Sequence, residues 1–320
     1  MADTINDNEK PVFLVNGFLE SGKTSFINYT VSEDYFHIDG NTLLLVTEEG
    51  EVEYDKKLLK REHVTEFTFD DKEAITKERL KELADSCNAE RVVIEWNGMW
   101  NPEILRFPDD WVLYQQITMM DGSTLDMYLN NMKALMGPML RYTELLLINR
   151  CDDIPEETLL NWKRQLRPML MQGAEIVMEN KFGEVPLEVI PEDLPFDISG
   201  DEIVISPENF GIWFFDCRDY PDRYAGKNVT FSACVMREGG TFKEDCFVPG
   251  RMAMTCCEAD MTFIGFMAHY KGISAYPDGS WVKLTARVDI KNLPEYEGEG
   301  PFLEVLKMAH TGEISDPVTF

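Results

Sequence analysis

The chain has 320 residues, 44% of them hydrophobic, which is enough for two ordinary domains with real cores. Its 30 Lys and Arg stand against 58 Asp and Glu, a formal net charge of -28, which repels phosphate backbones and anionic lipid surfaces and excludes nucleic acid as an expected partner. Residues 1–10 are expected to be a disordered polar tail and no secretory signal; no apolar stretch approaches the ~18 residues of a membrane helix, so no integral membrane protein is expected, and the cysteines are expected as thiols in a reducing cytoplasm.

Val12–Asn16 is an apolar run bounded by Pro11 and Gly17, the pattern of a buried parallel strand. It leads into Gly17-Phe18-Leu19-Glu20-Ser21-Gly22-Lys23-Thr24, two glycines separated by four residues and followed by Lys and Thr. In such a phosphate loop the backbone N–H groups curl around phosphate oxygens, the Lys reaches the β and γ phosphates, and the Thr hydroxyl faces Mg²⁺. Ser21–Tyr29 has no breaker after Gly22 and can open a helix whose N-terminus aims at the anion. Thr42–Val46 reads as a second buried strand and runs into Thr47-Glu48-Glu49-Gly50-Glu51. These acids are either a surface turn or a place where Glu49 or Glu51 faces Mg²⁺, directly or through water.

His63–Phe69 alternates as an edge strand and Thr76–Cys87 as a helix with Leu80 and Leu83 inward. Arg91–Gly98 reads as a strand ending in Glu95, an acid where phosphate-loop enzymes keep their metal-positioning carboxylate. Trp111–Met120 reads as a strand, and Ser123 is expected to cap a long helix kinked at Pro138. Glu144–Ile148 is the next strand and delivers Asn149-Arg150-Cys151-Asp152. GTPases end the corresponding strand in Asn-Lys-x-Asp, whose Asp accepts from the guanine N1 and N2 hydrogens; here Arg150 takes the Lys position and can stack on a base. With a helix at Pro155–Met171 and a strand at Ala174–Met178, the order implies an α/β phosphate-loop NTPase fold, a mostly parallel sheet with helices on both faces, over residues 11–181.

Residues 182–208 gather Pro186, Pro191, Pro195 and Pro207 and read as a linker. Residues 209–320 then change character. Strands are expected at Gly211–Cys217, Asn228–Arg237, Asp245–Cys256, Thr262–Tyr270, Ser280–Ile290 and Phe302–His310, making a small all-β domain, an OB-like barrel or a Greek-key sheet. Its most distinctive stretch is Cys256-Cys257-Glu258-Ala259-Asp260. Either the two thiols pack in a barrel wall, or they form a metal or redox site with Asp260 and one of Cys246 or His269.

With these motifs in order, the first ~195 residues resemble the CobW-type GTPases, relatives of the nickel chaperones of hydrogenase and urease. The resemblance implies a Mg²⁺-dependent GTPase that couples GTP or GDP binding to delivery of a transition metal, zinc above all, to a client protein. It implies catalytic roles for Lys23 and Glu95. Nucleotide would be held by Gly17, Glu20, Ser21, Gly22, Lys23, Thr24, Ser25, Asn149, Arg150 and Asp152, and metal by Thr24, Glu49, Glu51 and Glu95; a transition-metal set of Cys256, Cys257 and Asp260 is expected from this chain's own thiols and not from the resemblance. Two departures stand out. The Cys-x-Cys-Cys of such chaperones is absent, since Leu58–Thr76 contains no cysteine, and Glu20 replaces a small loop residue. The last third is similar to the C-terminal domain of YcgQ-type proteins, associated with permeases, through Arg251–Asp260 and Gly279–Val282. The departures leave a second reading, a nucleotide-dependent regulatory or docking module with negligible turnover and no metal cargo.

Overall fold

The computed structural model describes residues 9–171, 173–187, 194–237, 245–254, 261–296 and 298–318. The chain divides into two compact units, Met1–Glu156 with Met169–Pro186, and Glu157–Pro168 with Leu187–Phe320.

The first unit runs β1 (Lys10–Gly17), α1 (Lys23–Ser32), β2 (Asn41–Val46), α2 (Lys56–Arg61), β3 (Val64–Thr68), α3 (Lys77–Ser86), β4 (Ala89–Glu95), β5 (Trp111–Asp121), α4 (Leu125–Asn131), α5 (Lys133–Leu140) and β6 (Leu145–Asn149). After α6 (Glu156–Leu166), nearly all of which belongs to the second unit, come β7 (Glu175–Asn180) and β8 (Gly183–Glu184). The sheet order is β3-β2-β4-β1-β5-β6-β7-β8, parallel throughout except the β7–β8 hairpin. Successive strand residues point to opposite faces. Val12, Leu14, Leu43, Leu45, Val92 and Ile94 therefore pack one way, against Leu80 and Leu83 of α3. Val15, Leu44, Val46 and Val93 pack the other way, against Ile27 and Val31 of α1 and Leu59 of α2. Apolar on both faces, the sheet needs helices on both, as a mostly parallel phosphate-loop sheet requires.

The expected long helix after β5 is instead two helices broken at Met132, whose φ of -131° is far from helical, while Pro138 lies inside α5. Where α5 ends, the Thr143 N–H turns to Leu140 O, and Met139 O collects side-chain donors instead: Asn16 Nδ2 at 3.3 Å, Gln116 Nε2 at 2.8 Å and Thr143 Oγ1 at 3.3 Å.

The second unit holds β9 (Glu202–Val204), α7 (Phe210–Asp219), β10 (Asn228–Met236), β11 (Cys246–Met254), β12 (Met261–Gly265), β13 (Ala268–His269), β14 (Trp281–Leu293) and β15 (Gly298–His310). The order β12-β11-β13-β15-β14-β10-β9 closes on itself because β10 also pairs with β11. That pairing closes β10, β11, β13, β15 and β14 into the expected barrel, with β12 paired, among the described residues, only to β11 and β9 only to β10. Its interior is filled by alternate residues, Val229, Phe231, Ala233 and Val235 from β10 and Val282, Leu284, Ala286 and Val288 from β14. The expected strand at Gly211–Cys217 is corrected to helix α7: Phe210, Trp213 and Cys217 recur at helical spacing and are all buried, a pattern that a short apolar run does not separate from a strand. The expected strand Thr262–Tyr270 is interrupted between β12 and β13. Among the described residues no helix is long and apolar enough to cross a membrane.

Phe231 sits at the centre of this core, its ring centroid 4.7 Å from that of Trp213 and 5.6 Å from that of Phe210. Phe231→Ala removes that volume and is expected to cost the second unit about 3–5 kcal/mol. Calorimetry should show its transition lowered while nucleotide affinity in the first unit stays at the wild-type value.

Candidate functional site

Strand β1 delivers the loop at the carboxyl edge of the sheet, and backbone geometry dictates its glycines. Gly17 and Gly22 have φ of 142° and 97°, a region that side chains with a Cβ rarely adopt. The space is closed as well, since a Cβ on Gly17 would strike Met119 O and one on Gly22 would lie 2.7 Å from Asn149 Nδ2. From the far side Gly98, three residues past β4, packs so closely that its Cβ would strike the Gly17 carbonyl. Glu20 adopts φ of 60° without being glycine, a left-handed conformation that its side chain supports by accepting the Glu51 N–H at 2.8 Å.

The first turn of α1 carries the chemistry. Lys23 is only 4% exposed and donates to Gly17 O and Phe18 O, both at 2.9 Å, and to Glu48 Oε2 at 2.6 Å. Thr24 Oγ1 donates to Glu95 Oε1 at 2.9 Å, which brings the loop hydroxyl and the β4 acid together. Glu95 is buried, and burial pushes its carboxyl above the usual carboxylate range, opposed by the Tyr54 hydroxyl, the Lys23 ammonium and the Thr24 hydroxyl. Tyr54 also donates to Glu95 Oε2, and burial followed by the Glu95 charge drives its own pKa far upward, so it remains a donor. Ser25 is exposed on the same helix and lines the cleft with Glu20, Gly22, Lys23, Thr24, Glu48, Gly50, Glu95 and Arg150.

At the end of β6, Asn149 Nδ2 donates to Ser21 O at 2.7 Å and braces the loop. Arg150 has φ of 53° and reaches back to Glu20 O at 2.9 Å and to the Asp121 carboxylate, so its guanidinium is tied to the loop and to β5. Asp152 stands apart from the loop, accepting the Lys181 N–H at 3.2 Å from the turn after β7.

A nucleoside triphosphate with a divalent cation fits these residues. Ser21 Oγ and Asn149 Oδ1 are buried beside the loop with no hydrogen-bond partner, the glycine cradle is closed to any Cβ, and Thr24 and Glu95 present adjacent oxygens of the kind that hard cations take.

Not all expected residues meet at this place. Glu49 and Glu51 are exposed, and Glu51 contributes its backbone N–H to Glu20. The acid that reaches the loop is Glu48, which sequence reading passed over. A signal for it was present in strand parity: Leu44 and Val46 face α1, so the next residue in that phase is Glu48. Thr47 and Tyr54 were also missed; Thr47 Oγ1 bridges Glu95 O at 3.0 Å and Asn97 N at 2.8 Å. Cys256, Cys257 and Asp260 lie outside the described residues. Cys246 and His269 are opposite one another in the β11–β13 register, and His269 Nδ1 lies 2.6 Å from Glu304 Oε1. Met254, where β11 ends, is about 26 Å along the strand from Cys246 at the usual rise. Among the described residues no group of three or more His, Cys, Asp and Glu is arranged to hold a metal ion.

Residues 11–178 match the family described as CobW/HypB/UreG, nucleotide-binding domain, and residues 191–320 match the DUF1980 C-terminal domain. No curated protein matches the chain. Among solved structures, the hydrogenase maturation factor HypB from Archaeoglobus fulgidus is 15% identical with a TM-score of 0.38, over 56% of this chain and 85% of that one. HypB from Helicobacter pylori, solved in complex with nickel, is 12% identical with a TM-score of 0.35, over 53% and 79%.

Lys23 and Glu48 form a pair whose side chains are 3% and 9% exposed, so a phosphate reaching Lys23 must displace a desolvated carboxylate. Glu48→Gln keeps an acceptor but removes the charge, and is expected to tighten GTP and GDP binding by about three- to tenfold, the scale of a weakened charge-assisted bond. Isothermal titration on both proteins checks this; weaker binding by the variant would mean that Glu48 assists the nucleotide rather than competing with it.

Proposed function

Because the chain belongs to the CobW/HypB/UreG family of nucleotide-binding domains, we propose that it is a Mg²⁺-dependent protein that binds and slowly hydrolyses GTP and couples its nucleotide state to the handling of a transition metal, zinc. The observation that carries this reading is the meeting of Lys23, Thr24 and Glu95 under the glycine loop. Lys23 offsets charge on the β and γ oxygens, a role served by position and electrostatics rather than by covalent chemistry. Thr24 and Glu95 hold the Mg²⁺ side of the triphosphate. Bound Mg²⁺ supplies charge neutralisation on the phosphate oxygens. Glu48 and Glu20 tie the segment after β2 to the loop through Lys23 and Glu51 N–H, so filling the loop with phosphate disturbs that segment first.

Guanine selectivity is assigned to Asp152, whose carboxylate accepts from N1–H and N2–H₂ while adenine offers no matching donors; Asn149 braces the loop alongside. Wild-type protein should therefore bind GTP well ahead of ATP in a titration, and Asp152→Asn, which presents a donor where the base also donates, should lose about tenfold or more of that preference. Equal wild-type affinity for the two nucleotides would end the guanine reading.

The metal part rests on Cys256 and Cys257, soft thiolate donors suited to zinc, in the chain's second half. Protein purified anaerobically should carry zinc that the Cys256→Ser, Cys257→Ser double variant lacks, with GTP affinity unchanged between the two. The second reading, a docking module without metal cargo, is favoured by the absence of cysteine from Leu58–Thr76, and it takes over if wild-type protein binds no zinc.

A further inference from the structure

Between Glu51 and Asp55 the chain is acidic, yet Tyr54 turns inward and is 8% exposed. Its direction is imposed from both sides by one residue of α1: Asn28 Nδ2 donates to Glu53 O at 3.3 Å, and Asn28 Oδ1 accepts the Asp55 N–H at 3.2 Å. Asp55 then caps α2 by accepting the N–H groups of Lys57 at 2.8 Å and Leu58 at 3.2 Å. The Tyr54 ring joins the core formed by Ile27, Val31 and Leu59, a place that phenylalanine would fill equally well. The hydroxyl is the added element, and it donates to Glu95 Oε2.

Glu95 is thereby held at both ends of its carboxylate, with Thr24 Oγ1 nearest Oε1 at 2.9 Å, and 3.3 Å from Oε2, and Tyr54 on Oε2. A carboxylate held by one donor can rotate; one held by two on opposite oxygens has a fixed plane. We propose that Tyr54 is a positioning residue for the cation-side acid: it sets the orientation of Glu95 and thereby the divalent-cation dependence of nucleotide binding, and it ties that acid to the segment between β2 and α2. The inference rests on the Mg²⁺-dependent reading of the loop. It adds the residue that links the acid to the segment Glu48 also belongs to.

Tyr54→Phe keeps the ring and removes only the hydroxyl. The experiment follows release of N-methylanthraniloyl-GDP from the full chain by fluorescence, across Mg²⁺ concentrations and in excess chelator. The Mg²⁺ concentration of half effect should rise about tenfold in Tyr54→Phe, the worth of one hydrogen bond to a charged group, while release in chelator stays within about twofold of wild type. That second readout separates positioning from loss of structure, since a misfolded loop would release nucleotide faster in chelator too. A Mg²⁺ dependence identical to wild type overturns the inference and leaves the nucleotide reading standing. Wild-type release that ignores Mg²⁺ overturns the metal part of the nucleotide reading and this inference with it. Glu95→Ala supplies a check that does not depend on how the single Tyr54 variant folds: with no carboxylate to hold, Glu95→Ala and the Tyr54→Phe, Glu95→Ala double variant should share one Mg²⁺ dependence. A further shift in the double variant overturns the proposal.

Discussion

A buried lysine ammonium that reaches two backbone carbonyls, those of Gly17 and Phe18, still needs a counter-charge, and much of the first unit's functional end follows from that requirement. Burying an isolated charge costs far more than a folded domain has to spare, so Lys23 must face either phosphate or a carboxylate. In this chain the carboxylate is Glu48, which comes from the loop that follows β2. Satisfying one charge therefore draws a second chain segment over the phosphate loop. Glu20 reinforces the draw from the loop itself, accepting a backbone N–H of that segment. A negative residue inside a phosphate loop is unfavourable toward phosphate, but here it has a bonding partner that does not depend on nucleotide.

The same economy explains why Glu95 stays serviceable while buried. Its surroundings include two hydroxyl donors and a nearby cation, and these oppose the tendency of burial to protonate it. Thr47 adds a fastening on the backbone of the same residue. The acid is thus fixed by contributions from α1, from Thr47 just past β2 and from the turn before α2.

The sheet was legible in the sequence because its strands are apolar on both faces and are punctuated by glycine, a pattern that survives without any tertiary information. The loop was legible because its backbone conformations demand glycine at Gly17 and Gly22. Side-chain partnerships were harder to read. Choosing Glu49 and Glu51 over Glu48 came from treating the acids as a cluster, whereas strand phase alone points Glu48 toward α1. Tyr54 had no readable signal, since its role depends on Asn28 holding the residues on either side of it. In the second unit the barrel followed from alternating strands, but the helical spacing of Phe210, Trp213 and Cys217 was masked by the apolar residues between them, so a seven-residue run that is in fact part of a helix read as another strand.

The parallel pairing that builds the site has a consequence for how the protein is made. Residues 17–24, 48–54, 95 and 149 are separated by long stretches of chain, and they meet only when β1, β2, β4, β5 and β6 have registered through non-local contacts. Such pairing is slow, because loop-closure entropy must be met before the contacts return it. The cleft exists only where those strands have paired, and an unfolded or half-paired chain has nothing with which to hold a triphosphate. A ligand that recognises only the completed sheet stabilises it by mass action, about 2.7 kcal/mol at a hundredfold excess over its dissociation constant. Bound nucleotide thereby stabilises only chains whose strands have reached register.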